Sequence, residues 1–511
     1  MTADSALPPL ALDGRSLDLE RFGEVVLAGR RAALAADARE RIRAARGVIE
    51  RAAAGGAAVY GVNTGFGNLA DVRIPAGDLE TLQLRLVLSH AAGVGEPLAE
   101  EAVRGMLLLR ANTLARGHSG VREILVERLL ELLNAGIHPV VPSRGSVGAS
   151  GDLAPLAHLA LALVGRGEVS WRGARRPAAE VLAAAGIEPL TLAAREGLGL
   201  INGTQAMTSL VALAALAARR LVRAADLVGA LSTDALRGTD AAFDPRLHAA
   251  RGHAGQIASA ANLARLMAGS AIRESHREND VRVQDPYSLR CMPQVHGAVR
   301  DVLADVEAKL AIEMNAATDN PLVFAETGES ISGGNFHGEP MAFAADFLAI
   351  GLAELGSISE RRTEKLTNSA FSGLPPFLVE EAGLNSGFMM AQVTAAALVS
   401  ENKTLAHPAS VDSIPTSADK EDHVSMGMWA ALKLGQVVAN VRRIVAIELL
   451  AAAQGIDLLR PLRSSEPLEA LHAAVRERVP KWTVDREMAP DLAAAEAFLG
   501  ADADPFLRGL A

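Results

Sequence analysis

The amino-acid sequence predicts a mainly α-helical protein with a smaller mixed part at its N-terminus. Three observations support this prediction. Alanine, the residue that most favours helix, is abundant throughout the chain. Apolar residues recur at helical spacing over long segments from Ser119 onward. The clearest strand signal, at Glu168–Trp171, is a short hairpin outside the helical part.

The N-terminal part is predicted to alternate between helices and an irregular loop. Asp37–Ala54 is rich in alanine with spaced Arg and Glu, which predicts a helix that the following Gly-Gly pair ends. The run Val59–Gly67 contains three glycines and predicts a loop with special backbone angles. A second helix is expected from about Leu79 to His90.

One loop and one hairpin interrupt the helices of the middle of the chain. Gly136–Gly151 is rich in Pro, Ser and Gly and predicts a loop. Asp152 follows at the N-cap position of a helix predicted over Leu153–Val164. Glu168–Trp171, followed by Arg172-Gly173, predicts the hairpin.

A long helix is predicted near the C-terminus. One of its faces is apolar, and Arg442 and Arg443 lie on another face. The heptad pattern of an isolated coiled coil is not sustained. The apolar face consists of Val438, Val441, Val445, Leu449 and Ala452.

The composition excludes several classes of protein. Of the 511 residues, 50% are hydrophobic and 22% are charged, which is enough apolar surface to exclude an intrinsically disordered chain. The net charge of −10 argues against non-specific binding to nucleic acid or to an anionic membrane. The single cysteine, Cys291, excludes an intrachain disulfide and favours a reducing compartment.

No targeting or membrane-spanning segment is expected. Met1–Leu12 lacks the basic region and apolar core of a signal peptide. Gly197–Ala218 and Ala382–Ser400 are long and uncharged, but both carry amide and hydroxyl side chains that a lipid-facing helix would not bear. The sequence therefore predicts a soluble, cytoplasmic protein.

The loop Arg144–Asp152 carries the strongest chemical signal, and its composition alone allows three interpretations. It is a flexible turn before a capped helix, a phosphate-binding loop, or a peptide that modifies itself. The second is weakened because no Gly-Lys-Ser/Thr follows. In the third, the Gly151 amide nitrogen attacks the Ala149 carbonyl carbon, and loss of water closes a five-membered ring. Loss of a second water from Ser150 leaves an exocyclic methylidene, which is an electrophile.

The sequence around this tripeptide, Gly-Ser-Val-Gly-Ala-Ser-Gly-Asp-Leu-Ala-Pro-Leu-Ala-His, closely resembles the signature of the aromatic amino acid ammonia-lyases. These enzymes carry a 4-methylideneimidazol-5-one group (MIO). The resemblance extends over nearly the whole chain, from Tyr60 to about Leu492. Its further motifs are Tyr60–Gly67, Ser89–Gly93, Ile201–Gln205, Gln284–Cys291, Gly334–His337 and Glu421–Met426.

The resemblance implies a fold, a cofactor and an assembly. The fold is an elongated central helical bundle of the fumarase/aspartase-like lyase superfamily. Residues 1–117 would form a mixed N-terminal domain with Tyr60 and His90, and residues 118–511 the helical bundle domain with the tripeptide and the substrate-binding loops. The MIO group would form from Ala149, Ser150 and Gly151 without an external cofactor. The family forms homotetramers whose active sites are shared between subunits.

The family's reaction removes ammonia and a β-proton from an amino acid. An amine leaves poorly and the β C–H is a weak acid, so an electrophile and a base are needed. Whether the substrate amine or its ring attacks the electrophile stays open. Roles transfer by resemblance: Tyr60 is the base, Arg290 binds the carboxylate through its planar fork, Asn202 orients the electrophile, Gln284 and Tyr287 surround the amine and ring, and Phe336 packs beside the electrophile.

Two positions indicate the substrate. Ser89-His90 and Glu421 resemble the histidine-specific members of the family, in which the histidine and the carboxylate face the imidazole. An imidazole offers one donor and one acceptor, and this pair satisfies both. Taken singly, each residue is more typical of a core histidine or a helix cap. Together they predict conversion of L-histidine to trans-urocanate and ammonia, the first step of histidine breakdown.

Three alternatives are weighed against this prediction. A lyase or aminomutase for tyrosine or phenylalanine is disfavoured by His90 and Glu421. An inactive helical scaffold is disfavoured by the intact tripeptide. A fumarase-like lyase without the modified tripeptide is supported only by a weak resemblance at Met292-Pro293. Cys291 has no adjacent base and is interpreted as a bystander, and the sequence contains neither His-Glu-x-x-His nor Cys-x-x-Cys spacing, so no catalytic metal is expected.

Overall fold

The structure of the protein is a computed structural model that describes residues 7–54, 61–65, 72–278, 280 and 282–511. Helices dominate it, which confirms the predicted mainly α fold class. The helices are α1 (Leu19–Val26), α2 (Ala36–Ala54), α3 (Leu79–His90), α4 (Glu100–Ala115), α5 (Glu123–Asn134), α6 (Leu153–Leu163), α7 (Ala178–Ala185), α8 (Glu196–Ile201), α9 (Gln205–Ala235), α10 (Pro245–Arg251), α11 (Ala254–Met267), α12 (Ala271–Glu274), α13 (Tyr287–Arg290), α14 (Met292–Glu313), α15 (Glu339–Thr367), α16 (Ser369–Ser372), α17 (Met389–Leu405), α18 (Gly427–Leu458), α19 (Glu466–Arg476), α20 (Ala489–Ala497) and α21 (Asp504–Leu507).

The strands are short and pair locally. They are β1 (Leu10–Leu12), β2 (Ala32–Leu34), β3 (Val94–Pro97), β4 (His138–Pro139), β5 (Pro142–Arg144), β6 (Glu168–Trp171), β7 (Ala174–Pro177), β8 (Leu322–Phe324) and β9 (Glu329–Ile331). β1 and β2 are parallel, with Leu10 opposite Ala32. β3 pairs with β5, β6 lies between β4 and β7, and β8 pairs with β9, all antiparallel.

The chain divides into two compact units, each assembled from separate stretches of sequence. The first unit comprises residues 1–213, 307–346 and 408–432, and the second comprises residues 214–306, 347–407 and 433–511. The division into two continuous domains, residues 1–117 and 118–511, remains a prediction.

In the first unit, α3, α6 and α8 pack against one another. α6 is apolar on nearly all sides and buried, as expected of a core helix. Every residue of α8 is buried as well. Close packing of α8 on α3 requires glycine at position 197, because a Cβ there would lie 2.7 Å from the Gln83 carbonyl oxygen. The Gln83 side chain also accepts a hydrogen bond from the Gly197 N–H, at 2.9 Å.

In the second unit, a buried ionic pair joins α15 to α18. Arg362 donates from Nε and Nη2 to the two carboxylate oxygens of Glu448, at 2.5 and 2.9 Å. Ser232 and Ser359 donate to the same carboxylate. A buried ion pair is tolerated when its remaining hydrogen-bonding capacity is satisfied in this way.

Several predicted elements are confirmed. The helix expected at Asp37–Ala54 is α2, the one expected at Leu79–His90 is α3, and the hairpin after Glu168 is β6–β7. The apolar stripe predicted near the C-terminus lies on α18, and all five of its residues are buried. The loop Gly136–Gly151 contains the short strands β4 and β5, which the Pro- and Gly-rich composition did not predict.

Asp152 occupies the N-cap position of α6, as predicted, but its side chain does not cap that helix. Its Oδ2 instead accepts from the backbone N–H of Met207, in the first turn of α9, at 2.9 Å. The carboxylate therefore accepts from the N-terminus of another helix at a residue 55 positions further along the chain, a contact that local sequence patterns do not reveal.

One helix of the described residues, α15, is long and apolar enough to cross a membrane by length and composition. Of its most apolar window, 61% is buried within the protein, which is equally typical of a core helix. The uncharged stretches Gly197–Ala218 and Ala382–Ser400 contribute to α8, α9 and α17.

Candidate active site

A cavity of about 1030 Å³ lies in the first unit and gathers five of the predicted site residues. Its wall includes His90 at the end of α3, Ser150 before α6 and Asn202 at the end of α8. Because these three helices pack on one another, their adjoining ends meet at one place. The other two predicted residues in the wall are Phe336 and Glu421.

The tripeptide Ala149-Ser150-Gly151 is held in a backbone conformation that favours glycine at its third position. Gly151 has φ +71° and forms a parallel bridge to Gly203. A Cβ on Gly151 would lie 2.2 Å from the Gly203 carbonyl oxygen. The next residue reinforces the contact, since the Asp152 N–H donates to the same oxygen at 2.7 Å. Glycine is therefore required both by the left-handed backbone and by the available space.

Asn202 contacts the tripeptide directly. Its Nδ2 donates to the Ser150 carbonyl oxygen at 2.9 Å. Its Oδ1 is buried and has no hydrogen-bond partner among the described residues. Arg110 holds the backbone on both sides of this position. Its Nη1 donates to the Asn202 carbonyl at 2.9 Å, and its Nε donates to the Gly199 carbonyl at 3.0 Å. Burial lowers the pKa of Arg110 to about 10, so it stays charged near neutral pH.

Asp152 anchors the other side of the tripeptide and is fully buried. Its Oδ1 accepts from Ser146 Oγ at 3.0 Å, while Oδ2 accepts from the Met207 N–H. Burial raises the pKa of Asp152 to about 6, and the hydrogen bonds offset only part of that effect. Burial also raises the pKa of nearby Glu313, which accepts from Thr204 Oγ1 at 2.5 Å.

Glu421 reaches the tripeptide from a distant part of the sequence. Ser150 Oγ donates to Glu421 Oε1 at 2.7 Å, and Thr416 Oγ1 donates to Glu421 Oε2, also at 2.7 Å. The segment is tied to the loop before the tripeptide by the Met426 N–H, which donates to the Val147 carbonyl at 2.8 Å. Both carboxylate oxygens of Glu421 therefore have a fixed hydroxyl partner.

His90 is held in one tautomer. Its Nδ1 lies 2.9 Å from the Leu86 carbonyl oxygen, an acceptor, so Nδ1 carries the hydrogen of the neutral ring. Nε2 is then a hydrogen-bond acceptor. Ser89 Oγ lies 3.1 Å from the same Nδ1 and donates to the Leu86 carbonyl.

The fit of the site to an MIO group rests on two of these observations. The Ser150 carbonyl is the one that ring closure retains, and it already has a donor in Asn202. Gly151, whose nitrogen would close the ring, has no side chain to obstruct the approach. The residues therefore fit the group that the tripeptide motif implies.

Among the described residues, no cluster of three or more His, Cys, Asp or Glu is placed to hold a metal ion.

Other residues of the cavity wall were not singled out from the sequence. Arg85 and Lys420 are exposed basic side chains, and Asn320 holds the loop that leads to Phe336 by accepting from the Gly333 N–H at 2.7 Å. Arg85 lies one helical turn before Ser89, and Lys420 directly precedes Glu421, so proximity to the motifs is the signal that indicates them.

Three predicted residues lie in the second unit, on and just before the short helix α13. Gln284 is exposed, and Tyr287 is 70% exposed. Arg290 stacks on Tyr287, with Cζ 4.4 Å from the ring centroid, and its Nε donates to the Asp285 carbonyl at 3.0 Å. Tyr60, the predicted base, lies outside the described residues.

Comparisons with known proteins identify the family of this chain. The family model of the aromatic amino acid lyases matches residues 17–477. The chain is 58% identical over 503 residues to a histidine ammonia-lyase of Koribacter versatilis (strain Ellin345). The aligned region covers 96% of this chain and 97% of that protein.

Solved structures of related enzymes are also similar to this chain. The crystal structure of histidine ammonia-lyase from Trypanosoma cruzi matches with a TM-score of 0.90 and 47% identity, covering 98% of this chain and 96% of that one. A tyrosine aminomutase from Streptomyces globisporus matches with a TM-score of 0.93 and 42% identity, covering 98% of each chain. Because the family model matches most of this chain, the chain belongs to the aromatic amino acid lyase family.

Proposed function

We propose that the protein eliminates ammonia from L-histidine to give trans-urocanate, as a carbon–nitrogen lyase of histidine degradation. One observation carries the proposal. Ser150 of the Ala-Ser-Gly tripeptide lies 2.7 Å from the Glu421 carboxylate, in a cavity that His90 and Asn202 also line. A site for an electrophile and a site for an imidazole ring are thereby combined in one cavity.

We further propose that Ala149, Ser150 and Gly151 become an MIO group. When formed, that group supplies an electrophile that takes up electrons from the substrate and makes the amine a better leaving group. Asn202 acts on it through the 2.9 Å hydrogen bond to the Ser150 carbonyl, since a donor at that oxygen withdraws electron density from the ring. The unpartnered Oδ1 of Asn202 is an acceptor suited to the substrate's amino group.

The imidazole of the substrate would lie between Glu421 and His90. The Glu421 carboxylate accepts the ring N–H, and Nε2 of His90 is held in the acceptor state by the Leu86 contact. A protonated substrate ring carries two N–H donors and can satisfy both groups, whereas a phenyl ring leaves them unpaired at a cost of about 1–3 kcal/mol each. Phe336 forms an apolar part of the same wall.

The remaining roles fall to Tyr60, Gln284, Tyr287 and Arg290. Tyr60 would take the β-proton, and Arg290 would bind the substrate carboxylate through its guanidinium. Gln284 and Tyr287 would surround the amine and ring. Stacking on Tyr287 and the bond to the Asp285 carbonyl restrict the orientation of Arg290.

A homotetramer with shared active sites is part of the proposal. Exposed apolar side chains follow one face of α15 at Phe347 and Ile350, and one face of α17 at Met390 and Val393. Such faces are typical of subunit interfaces. The high exposure of Tyr287 fits completion of the site by another copy of the chain. We expect the wild-type protein to have a native mass of four chains. The variant Phe347→Asp should have a smaller native mass. We also propose that the protein acts in the cytoplasm.

Activity and maturation are tested together by comparing the purified protein with Ser150→Ala. The wild-type chain should weigh two waters less than its sequence and convert L-histidine to a conjugated acrylate. Ser150→Ala should show no such deficit and almost no activity. Full activity in Ser150→Ala would favour a fumarase-like lyase, and preferential turnover of tyrosine or phenylalanine would favour the other members of the family.

A further inference from the structure

Thr416 is the partner that Glu421 would keep after the tripeptide has been modified. In the unmodified chain, the two oxygens of the Glu421 carboxylate accept from Ser150 Oγ and Thr416 Oγ1, each at 2.7 Å. Loss of water from Ser150 removes the first of these donors. Oε1 is then free to accept from a ligand, while Oε2 stays bound to Thr416.

The backbone holds Thr416 and Glu421 opposite each other. The Thr416 N–H donates to the Glu421 carbonyl at 3.0 Å, and the Glu421 N–H donates to the Thr416 carbonyl at 3.3 Å. The residues between them turn tightly, with φ +53° at Ser417, +51° at Ala418 and +62° at Asp419. Three successive non-glycine residues in the left-handed region are strained, and such strain persists where the surroundings fix the conformation.

We infer that Thr416 is a positioning residue that aims Glu421 Oε1 at the substrate's imidazole. This inference rests on the proposed function. A carboxylate on a flexible side chain can rotate, and an ordering hydrogen bond to one oxygen determines where the other points. Thr416 does not line the cavity, so it acts only through Glu421. The ring-binding site is thus completed by a residue five positions before the carboxylate.

The test compares variants that remove or keep the hydroxyl. Thr416→Val and Thr416→Ala remove it, Thr416→Ser keeps it, and Thr191→Val makes the same change at an exposed residue of the first unit. We expect kcat/KM for L-histidine to fall about tenfold in the Val and Ala variants, mainly through KM, because the contact to the ring exists in both ground and transition states. Thr416→Ser and Thr191→Val should retain wild-type constants, and all should retain the two-water deficit in mass.

Several results would overturn the inference. Wild-type KM in the Val and Ala variants would exclude a role for the hydroxyl. Equal losses in Thr416→Ser and Thr416→Val would show that side-chain shape matters instead. Loss of the folded state in both hydroxyl-free variants, seen by circular dichroism, would make Thr416 structural. If the wild-type protein itself lacks the mass deficit and does not consume histidine, the proposed function fails; if it has both, only the role of Thr416 is rejected.

Discussion

The side-chain amide of Asn202 donates a hydrogen bond of 2.9 Å to the carbonyl oxygen of Ser150. These residues are 52 positions apart, and the contact depends on the packing of α6 against α8. The amide donates to the carbonyl that would become the ring carbonyl of the MIO group. It is therefore placed to act on the reactivity of the tripeptide as well as on its conformation.

Replacing Asn202 by leucine should slow the reaction rather than weaken binding alone. Loss of a preorganised donor of this kind lowers kcat by about 10²- to 10³-fold in other enzymes. We expect a decrease in that range, measured from the steady-state rate of urocanate formation. Intact mass provides the control, since a retained two-water deficit would separate reactivity from maturation. An unchanged kcat would contradict the role given to Asn202.

Replacing Gly151 by alanine should prevent maturation. The new Cβ would lie 2.2 Å from the Gly203 carbonyl oxygen, and the backbone is left-handed. Gly186→Ala is a matched control, because Gly186 has φ +69° but no atom within 4 Å of its ideal Cβ. The control should lose about 1 kcal/mol of stability and keep both the mass deficit and the activity. A normal mass deficit in Gly151→Ala would show that the loop tolerates a side chain.

Asp152 should make the free energy of unfolding depend on pH. Burial raises its pKa from 3.8 to about 6, so the folded state retains a proton that the unfolded chain releases. The stabilisation from that proton is complete below about pH 4 and is lost as the pH rises to about 6.

The neutral variant Asp152→Asn does not titrate. Relative to wild type, it should gain about 2.4 kcal/mol in free energy of unfolding between pH 4 and pH 7, because one pKa unit corresponds to about 1.4 kcal/mol and a small part of the effect is already lost at pH 4. Urea denaturation of both proteins at the two pH values measures this difference. Parallel behaviour of the two proteins would mean that the folded-state pKa of Asp152 is not raised.

His90→Leu should weaken recognition of the imidazole. The substitution removes the Nε2 acceptor and puts an apolar side chain at that position of the cavity wall. We expect KM for L-histidine to rise by about 10- to 100-fold, which corresponds to one unpaired polar group. His253→Leu, at a histidine whose side chain is 61% exposed, is the control. If KM is unaltered in His90→Leu, the ring lies elsewhere in the cavity.

Local patterns predicted much of the fold. The amphipathic and alanine-rich segments became α2, α3 and α6 close to the predicted bounds, and the predicted apolar stripe lies on α18. The motifs also identified five residues that the structure gathers around one cavity.

The missed relationships connect residues far apart in sequence. Asp152 satisfies the start of α9 rather than α6, and Thr416 holds Glu421. Neither follows from periodicity, because hydrogen bonds between distant segments leave no local pattern. Arg110 did leave a signal, as a single charge within an apolar run of α4, but nothing in that run identified the Asn202 loop as its partner.

The bridge between Gly151 and Gly203 has a consequence for the timing of biosynthesis. A nascent polypeptide cannot bend its tripeptide against Gly203 until the intervening 51 residues have been synthesised and folded. For the maturation proposed above, the tripeptide would therefore emerge from the ribosome as three ordinary amino acids, before Gly203 has emerged. Its electrophilic group would arise only once the cavity that Asn202 and Glu421 line has been assembled around it.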